Sequence, residues 1–144
     1  MIRSFIAEDT GRIMQIWMDA SLKSHDFIPA DYWREQYGIV KSKYLPASQT
    51  LVFEQDGNIA GFISILDGSY IGGLFVDPAL QQQGIGTALI DCCKVNHTTL
   101  SLAVYRENVQ ACNFYRKCGF IEQEEQVSEY PPHTEFLMKW NKED

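Results

Sequence analysis

The sequence predicts a mixed α+β domain with its elements in the order βααβββαβαββ. Three observations predict it. Two turn signals, Asp56-Gly57-Asn58 and Asp67-Gly68, join three apolar runs into an antiparallel meander. The third run, residues 70–76, leads through a glycine-bearing loop into a helix and then another strand. That strand–helix–strand crossover makes its two strands parallel, with the usual right-handed connection. Finally, apolar residues at helical spacing recur in two stretches before the meander and in one stretch within the crossover.

In chain order, Ile2 to Ile6 is a short strand, and Asp9 or Thr10 caps the helix that follows. Its apolar face is Ile13, Ile16, Trp17 and Ala20, and it ends near Leu22. Ser24 to Pro29 is a loop carrying apolar residues. The second helix runs from Ala30 to about Tyr44, with Trp33, Tyr37, Val40 and Tyr44 on one stripe; these rings belong mostly to the core, with room for one tip to face a substrate. Pro46 to Gln49 is a loop, and Thr50 to Glu54 and Ile59 to Leu66 form the hairpin. Ile71 to Val76 reads as a buried strand, stopped by Asp77-Pro78, because proline lacks an N–H and restricts the residue before it. A polar loop, Ala79 to Gln83, precedes a helix from Ile85 to about His97, whose face is Ile85, Ala88, Leu89 and Cys92. Thr99 to Tyr105 is a strand. Asn108 to Cys118 is a helix closed by Gly119, a natural C-cap. Phe120 to Val127 and Thr134 to Trp140 are the last strands, joined by Tyr130-Pro131-Pro132-His133.

Composition bounds the function. The 144 residues read as one domain, 1–144, long enough for a sizeable core. Lys and Arg total 12 against 19 Asp and Glu, a net charge of -7, which argues against broad nucleic-acid binding and suits a cationic partner. No apolar stretch reaches the length of a membrane span, and no signal pattern opens the chain. The four cysteines form no disulfide framework. His25, His97 and His133 are not spaced as metal ligands, so no metal is expected. Reduced thiols fit a cytoplasmic protein.

The chain is organised around residues 70–89. A strand feeds a glycine-bearing loop that ends at a helix N-terminus, whose free N–H groups and positive dipole end suit a phosphate. Read alone, the stretch is either an ordinary αβ loop with glycines for packing or an anion site. The P-loop pattern is absent. The dinucleotide pattern G-x-G-x-x-G fails at its sixth place, Leu89, which makes a nucleotide-binding protein a weak reading. Gln81-x-x-Gly84-x-Gly86, however, resembles the coenzyme A-binding motif [Q/R]-x-x-G-x-[G/A] of the GCN5-related N-acetyltransferases (GNATs). A second segment, Asn108 to Phe120, is similar to that family's N-x-x-A-x-x-[FL]-Y-x-x-x-G-F signature, and the element order is the family's too.

The resemblance implies a twisted, mostly antiparallel sheet with a central splayed parallel strand pair flanked by helices. It also implies acetyl-CoA as co-substrate. Gln81 would be a cofactor contact, and the pyrophosphate would be held by the backbone amides from Gln82 and Gln83 through Gly84, Ile85, Gly86 and Thr87. Backbone contacts to the thioester and pantetheine would come from Leu74, Phe75 and Val76, with Gly72-Gly73 bending the strand, and a further contact from Asn108. Tyr115 would be the general acid toward the leaving thiolate. The bland readings are a core aromatic for Tyr115 and a plain helix N-cap for Asn108. Several relatives carry a glutamate base on the strand before the signature, in a Leu-Glu-Val setting. Here that setting is Leu102-Ala103-Val104. The candidates to replace it are His25, Glu54, Asp67 and Tyr70, with a structural role for His25 as the alternative. His25-Asp-Phe-Ile-Pro-x-x-Tyr32-Trp33 is similar to a segment of small bacterial family members of the YjaB and YiaC type, which implies a bacterial cytoplasmic enzyme. The expected reaction is acetyl transfer to a primary amine, either a small molecule or a protein lysine or N-terminus, by direct attack in a ternary complex. The alternative is a non-catalytic acyl-CoA-binding sensor or regulatory module. Neither nucleic acid nor membrane is an expected partner; monomer and homodimer both remain open, as do the acceptor's identity and the acyl-chain preference.

Overall fold

The computed structural model describes residues 1–128 and 132–143. Its elements are β1 (Ile2–Ser4), α1 (Thr10–Ser24), α2 (Ala30–Ile39), β2 (Gln49–Gln55), β3 (Asn58–Leu66), β4 (Tyr70–Val76), α3 (Ile85–Val95), β5 (Thr99–Tyr105), α4 (Val109–Lys117), β6 (Ile121–Val127) and β7 (Thr134–Asn141). The seven strands form one sheet in the order β1-β2-β3-β4-β5-β7-β6. Every neighbouring pair is antiparallel except β4 and β5. The expected mixed fold with one parallel pair is therefore the observed one.

Both hairpin turns carry two successive left-handed residues, Asp56 (φ 53°) with Gly57 (φ 80°), and Asp67 (φ 52°) with Gly68 (φ 83°). That backbone twist matches the twist of the flanking strands, so the two turns fix the register of β2–β3 and β3–β4. Side chains alternate across the sheet and build a core on each face. Ile59 and Phe62 of β3 join Ile13, Ile16 and Trp17 of α1 and Trp33 of α2 on one face. Ala60, Ile63 and Ile65 join Ile85, Leu89, Ile90 and Cys93 of α3 and Cys112 of α4 on the other. β6 is the exposed edge, and its glutamates 122, 124 and 125 guard it against pairing with another chain.

Several local expectations are corrected. Asp9 does not cap α1 through its side chain. Its carboxylate instead accepts two bonds from Arg3, at 2.8 and 3.0 Å, and the Ile6 N–H at 2.9 Å. The Arg3 guanidinium holds this carboxyl below its usual range. The second helix does not stop at Tyr44. It passes through a π-helical turn, Val40–Tyr44, and one more turn, Leu45–Ala47, so Pro46 is helical. The buried face of α3 is Ile85, Leu89, Ile90 and Cys93; Ala88 and Cys92 lie at its margin, half-buried. β4 is not a buried strand: of its residues only Ile71 is fully buried. Tyr130 and Pro131 of the expected last loop lie outside the described residues. No helix among the described residues is long and apolar enough to cross a membrane.

Candidate active site

The departure of β4 from full burial has a cause in the ladder. β4 and β5 pair at one register position, Tyr70 with Ser101, reinforced by the Ser101 N–H on the Ser69 carbonyl at 3.0 Å. Beyond that point they part. On its other side β4 stays paired with β3, but Ser64 faces Gly73 while Ile65 faces Ile71, so Gly72 is the extra residue of a β-bulge. A Cβ at Gly72 would come within 2.8 Å of Leu66 Cδ1, so a larger residue there would require the Leu66 side chain to shift. The bulge bends β4, and a cleft of about 600 Å³ opens between the two parallel strands. That volume lies in the usual range for a small-molecule site.

One end of the cleft is made of the loop before α3. Asp77 anchors its start. The carboxylate accepts the Ala79 N–H at 2.9 Å and Arg12 Nη2 at 2.6 Å, and the Asp77 N–H donates to the Ala60 carbonyl at 2.8 Å. Arg12 also keeps the Asp77 carboxyl below its usual range. Gln81 turns inward, its Nε2 donating to the Val76 carbonyl at 3.4 Å. Gln82 (φ 65°) and Gly84 (φ 81°) are left-handed and swing the chain into α3. Gly84 is the N-cap residue, so the first-turn N–H groups of α3 have no N-cap side chain to accept from them. A Cβ on Gly86 would meet Phe114 Cζ at 3.2 Å, so α3 and α4 approach closely here. No lysine or arginine is among the described residues lining the cleft; an anion at this end would meet backbone amides and the helix dipole. Of the expected cofactor residues, Leu74, Phe75, Val76, Gln81, Gln82, Gly84, Ile85, Gly86, Thr87, Asn108 and Tyr115 line the cleft, and Gln83, exposed, does not.

In the middle stand residues of α4 and its cap. Asn108 caps α4 by accepting the Ala111 N–H on Oδ1 at 3.2 Å. Its amide nitrogen therefore faces His25 Nε2, 3.2 Å away, and donates to it. This assigns the ring proton of His25 to Nδ1, which is buried without a partner among the described residues. Burial pushes the His25 pKa down to about 4, so the ring is neutral at pH 7. Tyr115 packs against Phe114 and Phe120, with ring centroids 5.3 and 5.7 Å away. Burial pushes its pKa well above that of an ordinary phenol, so its O–H stays protonated through the neutral range.

The far end is aromatic. His25 stacks on Trp33 at 5.1 Å and meets Tyr105 and Phe27 edge-on at 5.1 and 5.9 Å. Tyr32 and Tyr70 complete the wall. The Tyr70 pKa is raised by burial and by Glu135, against a hydrogen bond from the Ala103 backbone that lowers it. Glu54 and Asp67 lie off the cleft: Glu54 faces Arg3 at 3.4 Å, and Asp67 is exposed in the β3–β4 turn. Glu135 is the residue that sequence reasoning missed. It lines the cleft from β7, directly beside Tyr105 of β5. Strand alternation was the available signal, since Phe136 and Met138 are buried on one face and Glu135 must lie on the other. Among the described residues, no cluster of three or more His, Cys, Asp or Glu forms a metal centre.

A model of the "Acetyltransferase (GNAT) domain" family matches residues 23–135. The chain is 38% identical over 120 residues to the peptidyl-lysine N-acetyltransferase YiaC of Escherichia coli, covering 83% of this chain and 82% of that protein. The solution structure of apo YjaB from Escherichia coli superposes with a TM-score of 0.85 at 27% identity, over 97% of this chain and 96% of that one. The PaiA N-acetyltransferase of Thermoplasma acidophilum, in complex with coenzyme A, shares the fold with a TM-score of 0.79 at 19% identity, over 98% of each chain.

Proposed function

The chain belongs to the GNAT acetyltransferase family, and from that premise we propose that it transfers the acetyl group of acetyl-CoA to a primary amine by direct attack in a ternary complex. The observation that carries this reading is the single-position pairing of β4 with β5. It leaves an open slot between two strands, with uncapped helix amides at one end and an aromatic chamber at the other. Two substrates entering from opposite ends would meet beside Tyr115. The names of the relatives favour a protein lysine as acceptor.

Acetyl-CoA fits this slot as co-substrate. Gly84 and Gly86 let its pyrophosphate approach the amides of residues 82–87, where larger side chains would intrude. Beyond Tyr70 the edge of β4 is not paired with β5, which leaves backbone at Leu74 to Val76 for the pantetheine arm and for the carbonyl oxygen on which negative charge develops. Asn108 closes the slot from α4. Tyr115, kept protonated, supplies a proton to the departing sulfur. His25, neutral and held by Asn108, positions the acceptor loop rather than taking a proton. A non-catalytic acyl-CoA sensor remains the rival, favoured by Ala103 where relatives carry an acid.

The test of the cofactor reading is a melting-temperature titration with acetyl-CoA, with ATP and NAD as controls. A ligand that binds only the native state must raise the midpoint. A selective rise with acetyl-CoA is expected. No rise in a folded sample would reduce the glycine loop to architecture.

A further inference from the structure

We infer that Glu135 of β7 takes the role of the carboxylate missing at Ala103: it binds the ammonium group of a cationic acceptor and accepts its proton. This rests on the acetyl-transfer reading above and names the acceptor's chemistry.

The geometry comes from register. Ala103 pairs with Leu137 and Tyr105 with Glu135 across β5 and β7. Antiparallel partners share a face, and residues two apart on one strand do too. Glu135 therefore stands on the same face as Ala103, one pair further along, a diagonal of about 7 Å. A side chain of glutamate length covers such an offset. Glu135 is the one Asp or Glu among the described residues that line the cleft, and no lysine or arginine lines it to neutralise the charge. The groups that face it are known from each side. Tyr32 of α2, Tyr70 of β4 and Tyr105 of β5 all have their pKa raised, first by burial and then in part by its charge. From β6, Gln126 Nε2 donates to Glu135 Oε1 at 3.0 Å. His25 stands across Tyr105, and His133 is engaged by Glu107 at 2.8 Å. A carboxylate that shares its cleft with three phenols, His25 and Trp33 suits an ammonium group on an apolar arm, since aromatic rings attract a cation.

The protons balance. The ammonium gives one proton to the Glu135 carboxylate. The neutral nitrogen attacks the thioester carbon, so a C–N bond forms and the C–S bond breaks with its electron pair going to sulfur. Sulfur takes the Tyr115 proton, the second amine proton restores Tyr115 through solvent, and Glu135 releases its proton to solvent.

The test uses the full chain, acetyl-CoA and thiol release with two probes: an N-terminally blocked peptide with one lysine, and a small primary amine already neutral at pH 7. Glu135→Gln should lower kcat/KM for the peptide by about 100-fold and leave the neutral amine within about threefold. The acetyl-CoA melting shift should be unchanged, and Ala103→Glu added to Glu135→Gln should restore part of the peptide rate. Equal loss with both amines, or a wild-type rate with the peptide, overturns the inference and leaves acetyl transfer standing. If the unsubstituted protein releases thiol with neither amine, acetyl transfer itself fails and this inference with it.

Discussion

At the α3 end of the cleft the lining is backbone: the N–H groups before and within the first turn of α3, two left-handed residues, and Gly86 pressed against Phe114. At the α1–α2 end it is side chains: His25, Tyr32, Trp33, Tyr70, Tyr105 and Glu135, drawn from five separate parts of the chain. The first end asks little of residue identity beyond glycine, and its parts are contiguous in sequence. The second depends on tertiary assembly, and each residue contributes its own chemistry. The two ends should therefore respond to substitution in different ways.

The largest effect belongs to the backbone-built end. Gly86→Glu places a Cβ 3.2 Å from Phe114 Cζ and a negative charge beside the helix N-terminus. It should abolish the melting shift with acetyl-CoA while circular dichroism stays that of the native fold. A retained shift would mean that binding does not run through these amides.

Tyr115, at the junction of the two ends, should separate binding from chemistry. Tyr115→Phe keeps the ring against Phe114 and Phe120 and removes only the O–H. Turnover should fall about 100-fold with the acetyl-CoA melting shift preserved, the range expected for one proton-transfer group. Unchanged turnover would remove Tyr115 from the mechanism.

The smallest effect belongs to the α1–α2 end and appears as acid sensitivity. His25 has a folded pKa of about 4 against an unfolded value of 6.5. Between these values the unfolded chain binds more protons than the folded one, so stability falls as pH drops through this window and is unaffected by His25 above it. From pH 7 to pH 5 the loss attributable to His25 is about 2 kcal/mol. Chemical denaturation of His25→Phe, which keeps a ring against Trp33, should show that much less dependence on pH over the same interval. An unchanged slope would mean that the ring is not buried neutral.

The same contrast explains what could be read from the sequence. The glycine loop, both hairpin turns and the Asn108 cap announce themselves because a backbone conformation demands a particular residue locally. So does the bulge: Gly72-Gly73 was the visible sign of the bend that opens the cleft. Glu135 was only half legible: alternation sets it opposite Phe136 and Met138, but such a glutamate looks like any solvated face until β5 is laid beside it. The α3 face was rotated from expectation because Ile90 and Cys93, which follow Leu89 and Cys92, pack onto the sheet. The Asp9 cap failed for a similar reason. Arg3, on the neighbouring strand, offers its carboxylate a full guanidinium where α1 offers only a helix N–H.

The central claim is that both ends serve one reaction, and amine-dependent thiol release tests it most directly. Purified protein with acetyl-CoA should release thiol slowly alone and much faster when the blocked lysine peptide is added, with the peptide gaining one acetyl group by mass. Tight acetyl-CoA binding with thiol release that no amine accelerates would contradict it, and would leave a cofactor-binding module whose aromatic end serves another purpose.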